Sequence, residues 1–233
     1  MGTRTLAEFR AETRWLLKNR NDASLSDDRI DHYTNAAYRH MCMPRVHRFH
    51  EMQSVYDITL VNGTNAYSIS EATVGQKIVG ISSVSNIITI PETPTSRKRR
   101  LTPRNIRWFD RRSLNTGTPS AFAVEQETLY IHAVPGSSEA GQIIRVRFWR
   151  EPATLALDTA TTVLPNYYDE VLQIGSQFLT ERGLGYRDAA QLTKQDYVAM
   201  LNEGDESMEL EAEDWDFQVD VNPNAQSGGM GIS

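Results

Sequence analysis

The spacing of apolar residues changes twice along this chain, and this change constrains the fold more than any other feature. Apolar residues recur at helical spacing in residues 1–50, alternate with polar residues over much of 51–160, and return to helical spacing in 161–204. Strands between two pairs of helices are typical of an α+β protein with an antiparallel sheet. We therefore expect a four-helix bundle with an antiparallel β domain inserted between the second and third helices. The β domain contains a basic loop, 91–120, and an extended acidic C-terminal tail follows in 205–233.

Residues suited to helix ends support the helical parts of this prediction. Thr5 and Glu8 have the spacing of a capping box, in which side chains satisfy the first free N–H groups of a helix. Ser26 is a favourable N-cap for the second helix. The fourth helix is expected to reach about Asn202, where Gly204 can close it.

Turn residues and alternation predict the strands of the inserted domain. Asn62-Gly63 is a strong hairpin turn, with Ala66–Ser70 as the return strand. A second hairpin is expected from Ala121–Glu125 and Thr128–Ala133, and a further strand from Gln142–Arg150. One face of that last strand carries Ile144, Val146 and Phe148, and the other carries Arg145, Arg147 and Trp149.

Composition excludes several classes of protein. No apolar run approaches the ~18 residues that a membrane-spanning helix needs. The single cysteine, Cys42, cannot form an intramolecular disulfide or a Cys-rich zinc site. The first ten residues lack the apolar stretch of a signal peptide. We therefore expect neither a membrane protein nor a disulfide-stabilised secreted one.

The formal net charge of −6 conceals two regions of opposite sign. Every charged residue after Lys194 is acidic, so the first 194 residues carry a net charge of +4. The acidic residues concerned are Asp196, Glu203, Asp205, Glu206, Glu209, Glu211, Glu213, Asp214, Asp216 and Asp220.

The densest cationic stretch lies in the predicted basic loop and carries a net +7 over residues 97–112. The cations could neutralise phosphates, and the interleaved Trp108 and Phe109 could stack on bases. Charge runs are also common on solvated loops and at protein interfaces, so DNA and protein both remain candidate partners. The cations are Arg97, Lys98, Arg99, Arg100, Arg104, Arg107, Arg111 and Arg112.

The acidic tail contains apolar residues that a purely solubilising segment would not need. Trp215, Phe217 and Val219 occupy alternating positions, which suits a segment that becomes ordered on a partner. The predicted partner-binding residues are Trp215, Phe217, Val219, Glu211, Asp214 and Asp216.

Candidates for catalysis and metal binding are weak. His47, His50 and Glu51 lie near Arg45 and Arg48, whose charges oppose a metal ion. Cys42 is expected on the apolar side of the second helix, and the chain has no nucleophile elbow or phosphate-binding glycine loop. We therefore predict a non-enzyme with no catalytic, metal-binding or cofactor-binding residues.

A series of short motifs, in this order, resembles the adaptor, or head–tail connector, proteins of tailed bacteriophages. The resemblance covers about residues 5–203 and includes an Asn-x-Ala-Tyr second helix and a Gly-x-Pro turn. The matching segments are Phe9-Arg10, Arg14–Leu17, Leu25–Ile30, Tyr33–Arg39, Asn62–Ile69, Gly117–Phe122, Leu129–Ile131 and Leu164–Glu170.

This resemblance implies a structural protein of the virion neck, assembled in the host cytoplasm. Adaptors form a ring, commonly of twelve copies, that joins the portal to tail, nozzle or stopper proteins. The helical bundle would form the ring wall, the C-terminal segment would reach the portal, and the genome would pass transiently through the central hole. No catalysis, cofactor or membrane contact is implied. The alternative is a nucleic-acid-binding module whose acidic tail masks its own basic loop.

Overall fold

The computed structural model describes residues 4–17, 25–46, 48–89 and 96–212. Within these residues the chain forms six α-helices and two four-stranded β-sheets. The helices are α1 (Leu6–Leu17), α2 (Asp27–Met41), α3 (Glu71–Val74), α4 (Ile106–Asp110), α5 (Tyr168–Gly183) and α6 (Arg187–Ala212). The strands are β1 (Gln53–Thr59), β2 (Ala66–Ser68), β3 (Ile78–Thr89), β4 (Ser96–Arg100), β5 (Thr102–Pro103), β6 (Ala121–Glu125), β7 (Thr128–His132) and β8 (Ile143–Arg150).

The predicted α+β class is confirmed, but the predicted four-helix bundle is wrong. Helix α5 lies at the centre of the helical layer and packs against α1, α2 and α6. Gln173 of α5 donates to Thr13 of α1 at 2.9 Å, whereas Gly175 lies against Tyr197 of α6. Residues two apart project about 200° from each other around a helix, so α1 and α6 occupy different sides of α5.

The connection between β8 and α5 explains why the bundle does not form. Leu155 and Leu164 of this connection are buried in the same apolar core as the four long helices. The backbone N–H of Leu6 also donates to the carbonyl of Ala160 at 2.9 Å, which fixes the start of α1 against the connection. Loop residues therefore fill space that a bundle would give to helix–helix contact, and loops carry no periodicity from which this could be predicted.

The inserted strands form a two-layer sandwich. The first sheet has the order β1-β8-β3-β4 and is antiparallel throughout. The second has the order β2-β7-β6-β5, in which β5 and β6 are parallel, so the expectation of a wholly antiparallel domain is wrong for this pair. The core between the sheets contains apolar side chains from both of them, among them Ile58, Val84, Phe122, Leu129, Ile144 and Val146.

The first predicted hairpin is wrong, although its turn is present. Gly63 adopts a φ of +77°, but Asn62 does not have the positive φ that a type I′ hairpin turn requires of both central residues. In addition, β1 pairs with β8 in the first sheet, whereas β2 pairs with β7 in the second. Ile58 and Ile69 are buried in the same inter-sheet core, so the chain crosses from one layer to the other at this turn. The second predicted hairpin is confirmed, with β6 and β7 antiparallel.

Strand β8 connects the two cores of the protein. Its predicted apolar face is buried between the sheets through Ile144, Val146 and Phe148. Trp149 was expected on the polar face but is only 9% exposed, because it belongs to the helical core on the other side of the first sheet. The helices and the sandwich are therefore packed together through the end of this strand.

The ends of the helices follow their predicted signals in part. The backbone N–H of Thr5 donates to the Glu8 carboxylate at 2.7 Å and the Glu8 N–H donates to the Thr5 hydroxyl at 3.3 Å, which confirms the capping box. Helix α2 begins after Ser26, although that side chain makes no capping hydrogen bond. Helix α6 continues through Gly204 to Ala212, beyond its predicted end. Among the described residues, no helix combines the length and hydrophobicity needed to cross a membrane.

Candidate interaction surfaces

The basic segment, residues 97–112, lies along the outer edges of both sheets. Most of β4 and all of β5 and α4 belong to it, so it is not the simple loop that the sequence predicted. Leu101 is buried between β4 and β5 and donates its N–H to the carbonyl of Val84 at 2.8 Å. This anchor lets the chain cross from the edge of the first sheet to the edge of the second.

The cations of β4 point to both faces of an edge strand. Lys98 pairs with Ile87 of β3, and Arg99 pairs with Asn86. Successive side chains of a strand project to opposite faces, and all of the described cations on β4 are exposed. Charged side chains on an open edge oppose uncontrolled pairing with another sheet, which is a structural role that requires no ligand. The exposed residues are Lys98, Arg99, Arg100, Arg104, Arg107, Arg111 and Arg112, and the side chain of Arg97 lies outside the described set.

Helix α4 holds an aromatic cluster against the end of β7. The guanidinium carbon of Arg112 lies 4.5 Å from the centroid of the Trp108 ring, and that of Arg104 lies 5.6 Å from it. The Trp108 ring also meets the His132 ring edge-on, with centroids 5.1 Å apart. Phe109 is buried and cannot stack on a nucleic-acid base. Arg104 and Arg112 therefore stack on Trp108 within the subunit. This contact leaves less of the Trp108 ring available for a nucleic-acid base to stack on.

The predicted C-terminal contact residues lie mostly beyond the described part of the chain. Glu211 belongs to α6 by its backbone. The other predicted contact residues, Asp214, Trp215, Asp216, Phe217 and Val219, lie outside the described residues. The structure thus places the start of the acidic region on the last turns of a long helix.

The chemistry of Cys42 is that of a core residue. It is 2% exposed, and burial raises the pKa of its thiol well above the ordinary value. A raised pKa disfavours the thiolate that a nucleophile or a metal ligand requires. Among the described residues, no three His, Cys, Asp or Glu side chains are grouped as metal ligands. His47 lies outside these residues, and His50 is exposed.

Two residues of the Asn-x-Ala-Tyr motif hold the β8–α5 connection in place, a role that the sequence did not indicate. The Asn35 side chain is 6% exposed, accepts from the N–H of Leu155 at 2.7 Å and donates to its carbonyl at 3.0 Å. The Tyr38 hydroxyl accepts from the N–H of Val163 at 3.2 Å, and burial raises the pKa of Tyr38 to about 12. A polar residue on the apolar face of a predicted helix was the available signal, because buried polar groups are normally hydrogen-bonded.

The comparisons with known proteins identify one family. A family model described as SU10 adaptor protein matches residues 4–223, which is most of the chain. A comparison with curated proteins gives no match. The matched range includes both helical parts, the sandwich, the basic segment and the C-terminal region as far as residue 223, which contains all of its acidic residues.

Proposed function

The chain belongs to the SU10 adaptor protein family, whose members are structural proteins of tailed phages, and on this basis we propose that it forms the ring that joins the portal to the tail. Family membership over nearly the whole chain is the observation that carries the proposal. In this proposal about twelve copies assemble in the host cytoplasm, and the genome passes through the central opening of the ring in the virion neck. Tail, nozzle or stopper proteins bind the side away from the portal.

The acidic C-terminal residues are proposed as the contact with the portal or with a neighbouring subunit. Ten acidic residues follow Lys194, and no cation follows it. Acidic residues around isolated aromatics favour a segment that gains its order on a partner. Trp215 and Phe217 are the proposed anchors, because aromatic residues supply most of the binding energy at many interfaces. Val219, Glu211, Asp214 and Asp216 complete the proposed contact.

The basic segment is proposed as a subunit interface rather than a DNA-gripping surface of the channel. Each phosphate that a protein neutralises strengthens DNA binding, and tight binding would slow the passage of a genome. The stacking of Arg104 and Arg112 on Trp108 also points to a protein-facing role, because it occupies the aromatic ring that bases would need.

Substitution of two edge cations tests this assignment. We expect Arg99→Ser with Arg100→Ser to weaken ring assembly about tenfold, because two exposed charge pairs together supply roughly 1.4 kcal/mol. The measurement is the fraction of rings formed on purified portal at increasing protein concentration, counted by electron microscopy. Arg45→Ser with Arg48→Ser is the matched control, since both residues are exposed and the change in net charge is equal.

The same variants distinguish the second candidate function, a nucleic-acid-binding module masked by its own tail. The exposed cations of the basic segment are the observation in its favour. That function predicts DNA binding that strengthens when the tail is removed, falls steeply with salt and is lost in the Arg99/Arg100 variant. Normal rings together with lost DNA binding would reverse our assignment of the segment.

A further inference from the structure

Helix α1 presents an exposed face with a large aromatic residue at its centre. We define the α1 face by Glu8, Ala11 and Trp15, which lie on the side of the helix opposite Leu6 and Phe9, together with the partly exposed Glu12 and the exposed Leu16 that border them. Trp15 is 61% exposed, which is unusual for the residue type that most often anchors protein interfaces. Glu8 and Glu12 contribute two negative charges, and Arg4, ion-paired with Glu12 at 2.7 Å, offsets one of them, so the face keeps a net negative charge through Glu8.

A shallow groove between α5 and α6 has the complementary character. We define the α5–α6 groove by its lining residues Phe178, Arg182, Arg187, Gln191 and Lys194. Three of these side chains are cationic and none is acidic. A second depression, on α6 alone, shares Gln191 and Lys194 with the groove and adds Val198. The partly exposed Phe178 and the exposed Val198 beside the groove give apolar surface that an aromatic side chain could cover.

The two surfaces lie on different sides of the subunit. Helix α1 contacts α5 at Gln173, and α6 contacts it at Gly175, which projects in nearly the opposite direction. A copy therefore cannot place its own α1 face in its own groove. A closed ring requires two different complementary surfaces on each copy, one for each neighbour.

We propose that the α1 face of one copy docks in the α5–α6 groove of the next copy. Trp15 covers Phe178 and Val198, and Glu8 lies against the cations of the groove. The charge complementarity and the exposed aromatic residue select a second copy as the occupant, because no ring could close through two identical faces of this kind. This inference rests on the ring assembly proposed above and names the contact that closes it.

Cysteine cross-linking of the full-length chain tests the contact. A chain with Ala11→Cys is mixed with a chain with Gln191→Cys under oxidising conditions. We expect at least about ten times more disulfide-linked dimer than in a mixture of Ala11→Cys with Ala72→Cys, an exposed site on α3. The native Cys42 is buried in every chain, and the unmodified chain measures its background.

A chain that carries both Ala11→Cys and Gln191→Cys determines the symmetry. Head-to-tail contact links it into a ladder of oligomers, whereas a two-fold contact stops at dimers. A yield equal to the Ala72 control, or a product limited to dimers, overturns the proposed contact. Trp15→Asp in the double-cysteine chain should remove most of the ladder, and Trp15→Phe should preserve it.

Failure of this contact is distinguishable from failure of the adaptor function. Rings seen by electron microscopy without the specific cross-link reject the α1–groove contact and leave the adaptor ring intact. A chain that forms no rings with portal rejects the adaptor ring itself, whatever cross-links are found.

Discussion

Removal of residues 213–233 is expected to reduce attachment of the protein to portal-bearing phage heads by at least about 100-fold. The truncation leaves α6 complete to Ala212 and removes Trp215 and Phe217 with the acidic residues around them. Loss of two aromatic anchors at about 2 kcal/mol each is sufficient for an effect of this size. The measurement is co-sedimentation of the purified chain with heads over a range of concentrations.

A full-length variant tests whether the two aromatic side chains, and not the length of the C-terminal segment, are responsible for the loss of attachment. Trp215→Ser with Phe217→Ser should reproduce most of the loss. Asn222→Ser with Asn224→Ser, a control in the same segment, should bind like the unmodified chain. Undiminished attachment of the truncated chain would refute the proposed role of the C-terminal residues.

The largest effect on stability is expected at Asn35. Asn35→Leu preserves the size of the side chain but leaves the buried N–H and C=O of Leu155 without their partner. Each buried polar group left unsatisfied costs about 1–3 kcal/mol, so the free energy of unfolding should fall by about 3 kcal/mol. Urea denaturation followed by circular dichroism measures this change.

Asn202→Leu is the matched control, because Asn202 is an exposed asparagine on α6. We expect its free energy of unfolding to change by less than about 0.5 kcal/mol. Equal effects of the two substitutions would show that the hydrogen bonds from Asn35 do not hold the connection. The Asn35 variant should also assemble less well, since the connection supports the start of α1.

The parts of the fold that were predictable depend on short-range signals. The Thr5–Glu8 capping box is confirmed, and so are the buried face of β8 and the β6–β7 hairpin. Each of these involves residues that are close in sequence, where spacing alone determines which groups can meet.

The failures concern contacts between residues far apart in sequence. The chain turns at Asn62-Gly63 with a positive φ at Gly63 alone, and nothing local indicates that β1 and β2 belong to different sheets. The bundle prediction failed because Leu155 and Leu164, in a segment without periodicity, pack among the helices. Trp149 lies on the face of β8 to which it was assigned, but its burial was not predicted, because a strand between two cores can bury residues on both faces.

The sequence predicted where one group of cations lies along the chain, but it did not predict how the fold arranges charged residues into surfaces. The sequence identified the cations of residues 97–112, and the structure places them on the edges of both sheets. The α5–α6 groove was not predicted, since Arg182, Arg187 and Lys194 are spread over two helices and form no run of charge. Trp15 was noted only as part of a family motif, and its exposure is a property of how α1 packs.

The proposed adaptor ring can be seen directly by electron microscopy of the full-length protein mixed with the portal of its phage, in class averages viewed along the portal axis. We expect a closed ring of about twelve copies, coaxial with the portal and open at its centre. Isolated monomers beside bare portals, or copies bound to the portal without contact between neighbours, would contradict it.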